Sequence, residues 1–137
     1  MTRIARPVWL AALAGVLGAC ASNPVQPGTV GLGTPFDLHA GASAVVGDGL
    51  TVAFDRVKSD SRCPADAICI SAGDAVVALT LSREGSARAE RDVHSDSGGS
   101  RTSYLDYTIT LQSLTPYPLA SKPTRPEDYA VRLVVTK

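Results

Sequence analysis

Residues 50–57 read LTVAFDRV, an alternation in which Leu50, Val52 and Phe54 leave one face and Thr51, Ala53 and Asp55 the other. Successive side chains of an extended chain point to opposite sides, so a period of two marks a strand with one buried face. The same period recurs along the chain. Residues 74–81, DAVVALTL, put Val77, Leu79 and Leu81 together. Tyr107, Ile109 and Leu111 alternate with Thr108, Thr110 and Gln112, while Tyr129, Val131, Leu133 and Val135 oppose Arg132 and Thr136. Weaker runs at 36–40, 43–46 and 86–94 bring the expectation to about seven short strands, divided by polar turns such as Gly47-Asp48-Gly49 and Ser97-Gly98-Gly99-Ser100. This rhythm predicts an all-β domain over residues 36–137, an Ig-like antiparallel β-sandwich, with a small closed β-barrel as the alternative.

Working outward, the N-terminal segment follows other rules. Residues 1–6 carry Arg3 and Arg6 and no acid, and Val8 to Ala19 is an apolar run of 12 residues. That run is too short for a bilayer core, which takes about 20 residues. It ends in Leu17-Gly18-Ala19-Cys20. All four positions resemble the lipobox of bacterial lipoproteins. The resemblance implies a signal peptide over residues 1–19, cleavage before Cys20 and lipid on the Cys20 sulfur and new amino group. Two or three acyl chains anchor stably where one holds only marginally. Ala21 after the anchor implies, by the same resemblance, sorting to the outer membrane, facing the periplasm. An ordinary cleaved signal peptide is the alternative. Residues 20–35, rich in Pro, Gly and small polar types, read as a flexible tether.

The 137 residues suffice for one domain, and 45% hydrophobic against 19% charged content is that of a globular chain. Aromatics are only 5%, so Val, Leu, Ala and Ile must fill the core. Removing residues 1–19 leaves 11 basic and 13 acidic residues, a charge of about −2. A nucleic-acid partner is excluded as an expectation, because phosphate contacts need a basic face.

The loop between the second pair of strands carries DSRCPADAIC, residues 60–69. Outside the inner membrane, paired thiols oxidise readily, so a Cys63–Cys69 disulfide is expected. A structural zinc site wants four ligands in closely spaced pairs, and His39 and His94 lie far off in sequence. A thioredoxin-type pair has two intervening residues in a βαβ context, whereas five separate these cysteines in a β protein. A metal site or reactive thiols remain the alternatives. Pro64 and Asp66 suit a single helical turn or tight loop over Pro64 to Cys69.

The stretch VKSDSRCPADAICISAGDAVVALTL, residues 57–81, resembles the core of a group of small bacterial envelope proteins, whose form is roughly V-x-x-D-S-R-C-P-x-x-x-x-C-x-x-A-G-x-A-x-V. The likeness runs on through Leu111-Gln-Ser-Leu-Thr-Pro-Tyr-Pro118 and Asp128-Tyr129 to the last strand. Where this chain has Ser71, the group often has tryptophan. The group has no assigned activity, so the resemblance implies a fold and a compartment, not a chemistry.

Asp60, Ser61, Arg62 and His94 contain the residue types of a serine hydrolase, yet there is no GxSxG elbow, and Ser-Asp-Ser recurs at 59–61 and 95–97 as turns do. The plainer expectation is that Asp60 caps the cysteine loop and Arg62 pairs with a carboxylate. Asp48, Asp55, Asp60, Asp66 and Asp74 are the residue type of a calcium site, but DxDxDG spacing is missing. Thr115-Pro116-Tyr117-Pro118 fixes the backbone around a tyrosine, either as a rigid contact or as a cover for the sandwich edge. No motif demands a catalytic residue, a metal or a cofactor. The expected protein is a lipid-anchored, non-enzymatic binding or structural module. Its partner is another envelope protein, peptidoglycan or a small ligand, met by a surface containing Asp60, Arg62, Pro64 and Tyr117. An inhibitor or accessory subunit of an envelope enzyme is the alternative, and a hydrolase or metal-binding protein the third class.

Overall fold

The structure, a computed structural model, describes residues 28–137. The signal segment and Cys20 lie outside the described residues. Eight strands appear: β1 (Phe36–His39), β2 (Ser43–Val46), β3 (Leu50–Asp60), β4 (Ala75–Ser82), β5 (Ala89–His94), β6 (Arg101–Tyr104), β7 (Tyr107–Thr115) and β8 (Ala130–Thr136). They form two antiparallel sheets of four, ordered β1-β8-β7-β6 and β2-β3-β4-β5. The sheets do not close on one another, so the expected sandwich is present and the barrel is not. The likeness to an immunoglobulin domain is one of architecture. Here consecutive strands stay largely in one sheet, without the ABED/CFG interleaving of that fold.

The alternating residues meet between the sheets. Leu50, Val52, Phe54, Val77, Leu79, Leu81 and Val93 from one sheet face Tyr107, Ile109, Val131, Leu133 and Val135 from the other, all essentially inaccessible to water. Each such side chain contributes about 1.5–3 kcal/mol by burial, and together they are the main favourable term in folding.

The strand absent from the sequence reading is β6. Only Tyr104 of its four residues is buried, so no alternation shows. Its hairpin with β7 turns at Leu105-Asp106, with Leu105 at φ 54°, without the Asn-Gly or Asp-Gly signal such turns usually carry. The domain also starts earlier than Phe36: Val30 bridges Val46, and the Gly33 N–H donates to Val135 O at 2.8 Å. Part of the expected tether is therefore docked on the domain.

Two ends result. The Gly47–Gly49 turn, the β6–β7 turn and the incoming Val30–Thr34 segment share one. The β3–β4, β5–β6 and β7–β8 connections share the other, roughly 30 Å away along the 11 residues of β3 at about 3.3 Å each.

Candidate functional site

The β3–β4 connection is built from its two arms upward. Beyond the last ladder pair, Asp60 with Ala75, the arms stay together through Ser61 N–H to Asp74 O at 2.7 Å and Cys63 N–H to Ala72 O at 2.8 Å. Ser61 Oγ adds a bond to Asp74 O at 2.9 Å. The arms come this close because residue 73 is glycine. A Cβ there would lie 1.8 Å from Ser61 O, and its φ of +68° also suits glycine.

Beyond this neck, Cys63 and Cys69 are joined in a disulfide. Between them Ala67 N–H bonds Pro64 O at 3.1 Å, a tight turn rather than a helical one. The β7–β8 connection holds the turn from the side. Ala65 N–H donates to Pro118 O at 3.0 Å, and the Asp66 carboxylate accepts from the N–H groups of Ala120 and Ser121 at 2.6 and 3.1 Å. Those backbone bonds, Ala120 first, hold the Asp66 carboxyl below its ordinary range.

Asp60 and Arg62 do not belong to the surface. Arg62 is only 7% exposed. Its Nε and Nη2 donate to the two oxygens of Asp60 at 2.8 and 2.7 Å, Nη1 donates to Leu114 O at 2.8 Å, and Nη2 also donates to Pro116 O at 3.0 Å. Asp60 accepts in addition from its own loop, at Arg62 N, and from the Tyr129 hydroxyl at 3.0 Å. Burial pushes the Asp60 carboxyl upward, but the bonds from Arg62 and Tyr129 outweigh it and keep it ionised below its usual value. Register shifts in β3 between Phe54 and Arg56 and between Val57 and Ser59 precede this inward turn, and such irregularities re-aim side chains. The result is a clasp in which one guanidinium ties the β3 exit to the end of β7 across the gap between the sheets. The stretches DSR, LTPYP and DY thereby meet in one hydrogen-bond network.

Of the expected surface, Pro64 is half-buried and Tyr117 is exposed, with the Arg62 guanidinium 5.1 Å from its ring centroid. Such stacking on a partly desolvated cation stiffens the aromatic. The Thr115–Pro116 peptide bond beside it is cis. Arg62 and Tyr117 form one wall of a cleft of about 470 Å³, whose other walls include Ser95, Asp96, Ser97, Gln112 and Ser113.

His94 stands apart from Asp60 and Arg62 and pairs with Asp74, Nδ1 to Oδ2 at 2.6 Å. The bond from Asp74, opposed by some burial, raises the His94 pKa. Asp74 Oδ1 also accepts from Ser95 N–H, Ser95 Oγ and Asp96 N–H at 3.0, 3.1 and 3.2 Å. Ser95 Oγ, in turn, accepts from Ala75 N–H at 2.8 Å. A nucleophilic serine needs its hydroxyl on the histidine, with the carboxylate on the far ring nitrogen. Here the Ser95 hydroxyl is on the carboxylate and the hydroxyl of Ser61, the serine expected in such a cluster, is on Asp74 O, so the cluster fastens the β5–β6 loop.

The five aspartates considered for calcium are dispersed. Asp48 bonds the Tyr107 hydroxyl at the other end of the domain, Asp55 accepts from Thr80, and Asp60, Asp66 and Asp74 hold the three groups just described. Among the described residues no three His, Cys, Asp or Glu side chains gather closely enough to share a metal ion.

Sequence reasoning missed Ile68 and Ile70. Flanking Cys69 at the tip of the stapled loop, they are 103% and 109% exposed, while Ile109 is buried in the core. Their one signal was that neither falls on an alternating strand face. Large apolar side chains standing fully in water on a braced loop mark a contact site more often than a lone exposed leucine does. Leu119 is also exposed at this end. Comparison with known proteins gives no matching family model, no matching curated protein and no matching solved structure.

Proposed function

We propose that this chain is a lipid-anchored bacterial envelope protein whose sandwich is a non-enzymatic binding module, docking through the end that carries the β3–β4 loop. The anchor rests on the Leu17-Gly18-Ala19-Cys20 sequence. The docking end rests on one observation: Ile68 and Ile70 are held fully in water by a loop tied down through a disulfide, the Asp66 carboxylate and backbone bonds to the β7–β8 connection. Rigid apolar groups lose little freedom on binding and so favour association. Tyr117 and the adjacent cleft, lined by polar and apolar side chains alike, flank the loop.

The same loop supports a second reading, in which the partner is an envelope enzyme that the module inhibits or assists. A narrow, braced, apolar tip is the shape that enters an enzyme cleft. Mass spectrometry of the membrane-extracted chain tests the anchor. Cleavage after Ala19 with acyl mass on Cys20 is the expected result, and retained residues 1–19 refute it. Chemical crosslinking in intact cells tests the module. A discrete adduct is expected, whereas substrate turnover by the purified chain that is lost in His94→Ala argues for the enzyme class instead.

A further inference from the structure

We propose that the stapled loop is a plug: Ile68 and Ile70 enter a concave apolar pocket on a protein partner. This inference rests on reading the loop end as the docking end and goes further by naming the chemistry that meets it.

The tip has the features of a preformed protrusion. Residues 67–73, AICISAG, contain no charge. Asp66, the nearest acid, has its carboxylate turned onto Ala120 and Ser121 N–H, and Arg62 is spent inside the domain. The disulfide ties Cys69, which stands between the two isoleucines, to Cys63, and the Ala65–Pro118 and Cys63–Ala72 bonds brace the loop on either side.

Several occupants are disfavoured by that chemistry. A phospholipid surface attracts basic residues and interfacial aromatics, and the tip segment has neither. A glycan presents hydroxyl groups, which two isoleucines do not recognise. A second copy of this chain meeting tip to tip would bury far less than the ~800 Å² per partner that a stable interface takes. A protein pocket that swallows the tip gains area on all its walls. It also brings the rim of the partner onto Tyr117, Gln112 and Ser97, giving an apolar centre with a polar border. The position suits the anchor as well, because the chain enters at Val30–Thr34, the opposite end of the sandwich.

The test uses the full anchored chain in its native cells, with a photo-crosslinking amino acid placed at position 68, at position 70, or at position 105 at the other end of the domain. Crosslinks from 68 and 70 to one and the same protein, and none to it from 105, are expected. That protein, purified, should bind Ile68→Ser/Ile70→Ser at least ten-fold more weakly than wild type and Leu105→Ser equally well. Since neither isoleucine is buried in the domain, the double variant should melt with the wild type, which separates lost contact from lost fold. Crosslinks only to lipid, to glycan or to a second copy, no crosslink at all, or unchanged affinity in the double variant each overturn the plug. Should the double variant bind normally while Tyr117→Ala and Gln112→Ala do not, the docking end stands and the plug fails. A partner captured only from position 105 removes both.

Discussion

Replacing Arg62 by alanine should be among the most damaging single changes in the domain, although Arg62 looks like a loop residue in the sequence. Four side-chain hydrogen bonds disappear, two to Asp60 and one each to Leu114 O and Pro116 O. The Asp60 carboxylate then stays buried with the Tyr129 hydroxyl and a backbone N–H as its remaining partners. Stranding one member of a buried ion pair costs about 3–5 kcal/mol. Water from the neighbouring cleft relieves part of the loss at the two carbonyls, which favours the lower half of that range. Set against a total of about 5–15 kcal/mol for a domain of this size, the variant should be largely destabilised. Its melting temperature should fall by roughly 12–32 °C, at about 4–8 °C per kcal/mol.

Urea titration of the described domain, with equal slopes for wild type and variant, measures the loss directly. The pH dependence adds an independent check. In wild type the folded Asp60 pKa lies below its unfolded value, so its contribution is present above about pH 4 and is lost as pH falls through the depressed folded pKa. Without Arg62 the upward push of burial dominates, the folded pKa rises above the unfolded one, and the deficit of the variant should shrink as pH falls from 7 towards 5. Asp60→Asn in the Arg62→Ala background should cost much less than in wild type, because the Arg62 guanidinium that it would otherwise strand is already gone. A loss below about 1 kcal/mol, or additive effects in that double variant, would refute the clasp.

The other expectations are more local. Gly73→Ala should cost about 3 kcal/mol or more, because a left-handed φ and a Cβ 1.8 Å from Ser61 O strain the neck together, whereas Gly85→Ala, at φ +75° with open space, should cost about 1–2 kcal/mol; equal losses in calorimetry would sink the steric argument. Removing the disulfide in Cys63→Ser/Cys69→Ser opens a seven-residue ring and should cost about 2.4 kcal/mol by loop-closure entropy, with thiol labelling of the oxidised wild type showing both cysteines protected. The His94 pKa is raised by Asp74, so that pair stabilises fully below about pH 6.5 and its contribution is lost as pH rises through the folded value. His94→Gln should abolish this step in stability between about pH 6 and 8, and NMR titration of the ring should give a pKa above that of a free histidine; a lowered value contradicts the pairing.

How much of this was legible depends on the range of the cause. The alternation in LTVAFDRV and the runs like it is a local property, since a pleated chain sorts side chains by parity, and both the sandwich and its core residues follow from it. The cysteines are six positions apart, so their spacing, with the oxidising compartment that the N-terminal motif implies, points to a short staple. The strand β6 was hidden because an edge strand with a single inward tyrosine has no period to show. That Arg62 pairs with a carboxylate was legible, and that the carboxylate is Asp60 was not. Nor was their inward direction, because the acceptors at Leu114 and Pro116 are 52 and 54 residues away and reach Arg62 only once the two sheets pack.

By itself, then, the sequence determined which segments extend, which faces they bury and which cysteines lie close enough to join. Tertiary structure alone decided what each loop residue is for. It drew the charged motif into an internal clasp, separated the aspartates and left Ile68 and Ile70 in solvent. The physical reason is that burial belongs to the packed assembly and not to the residue. Isoleucine at 109 has a second sheet above it, and isoleucine at 70 has none.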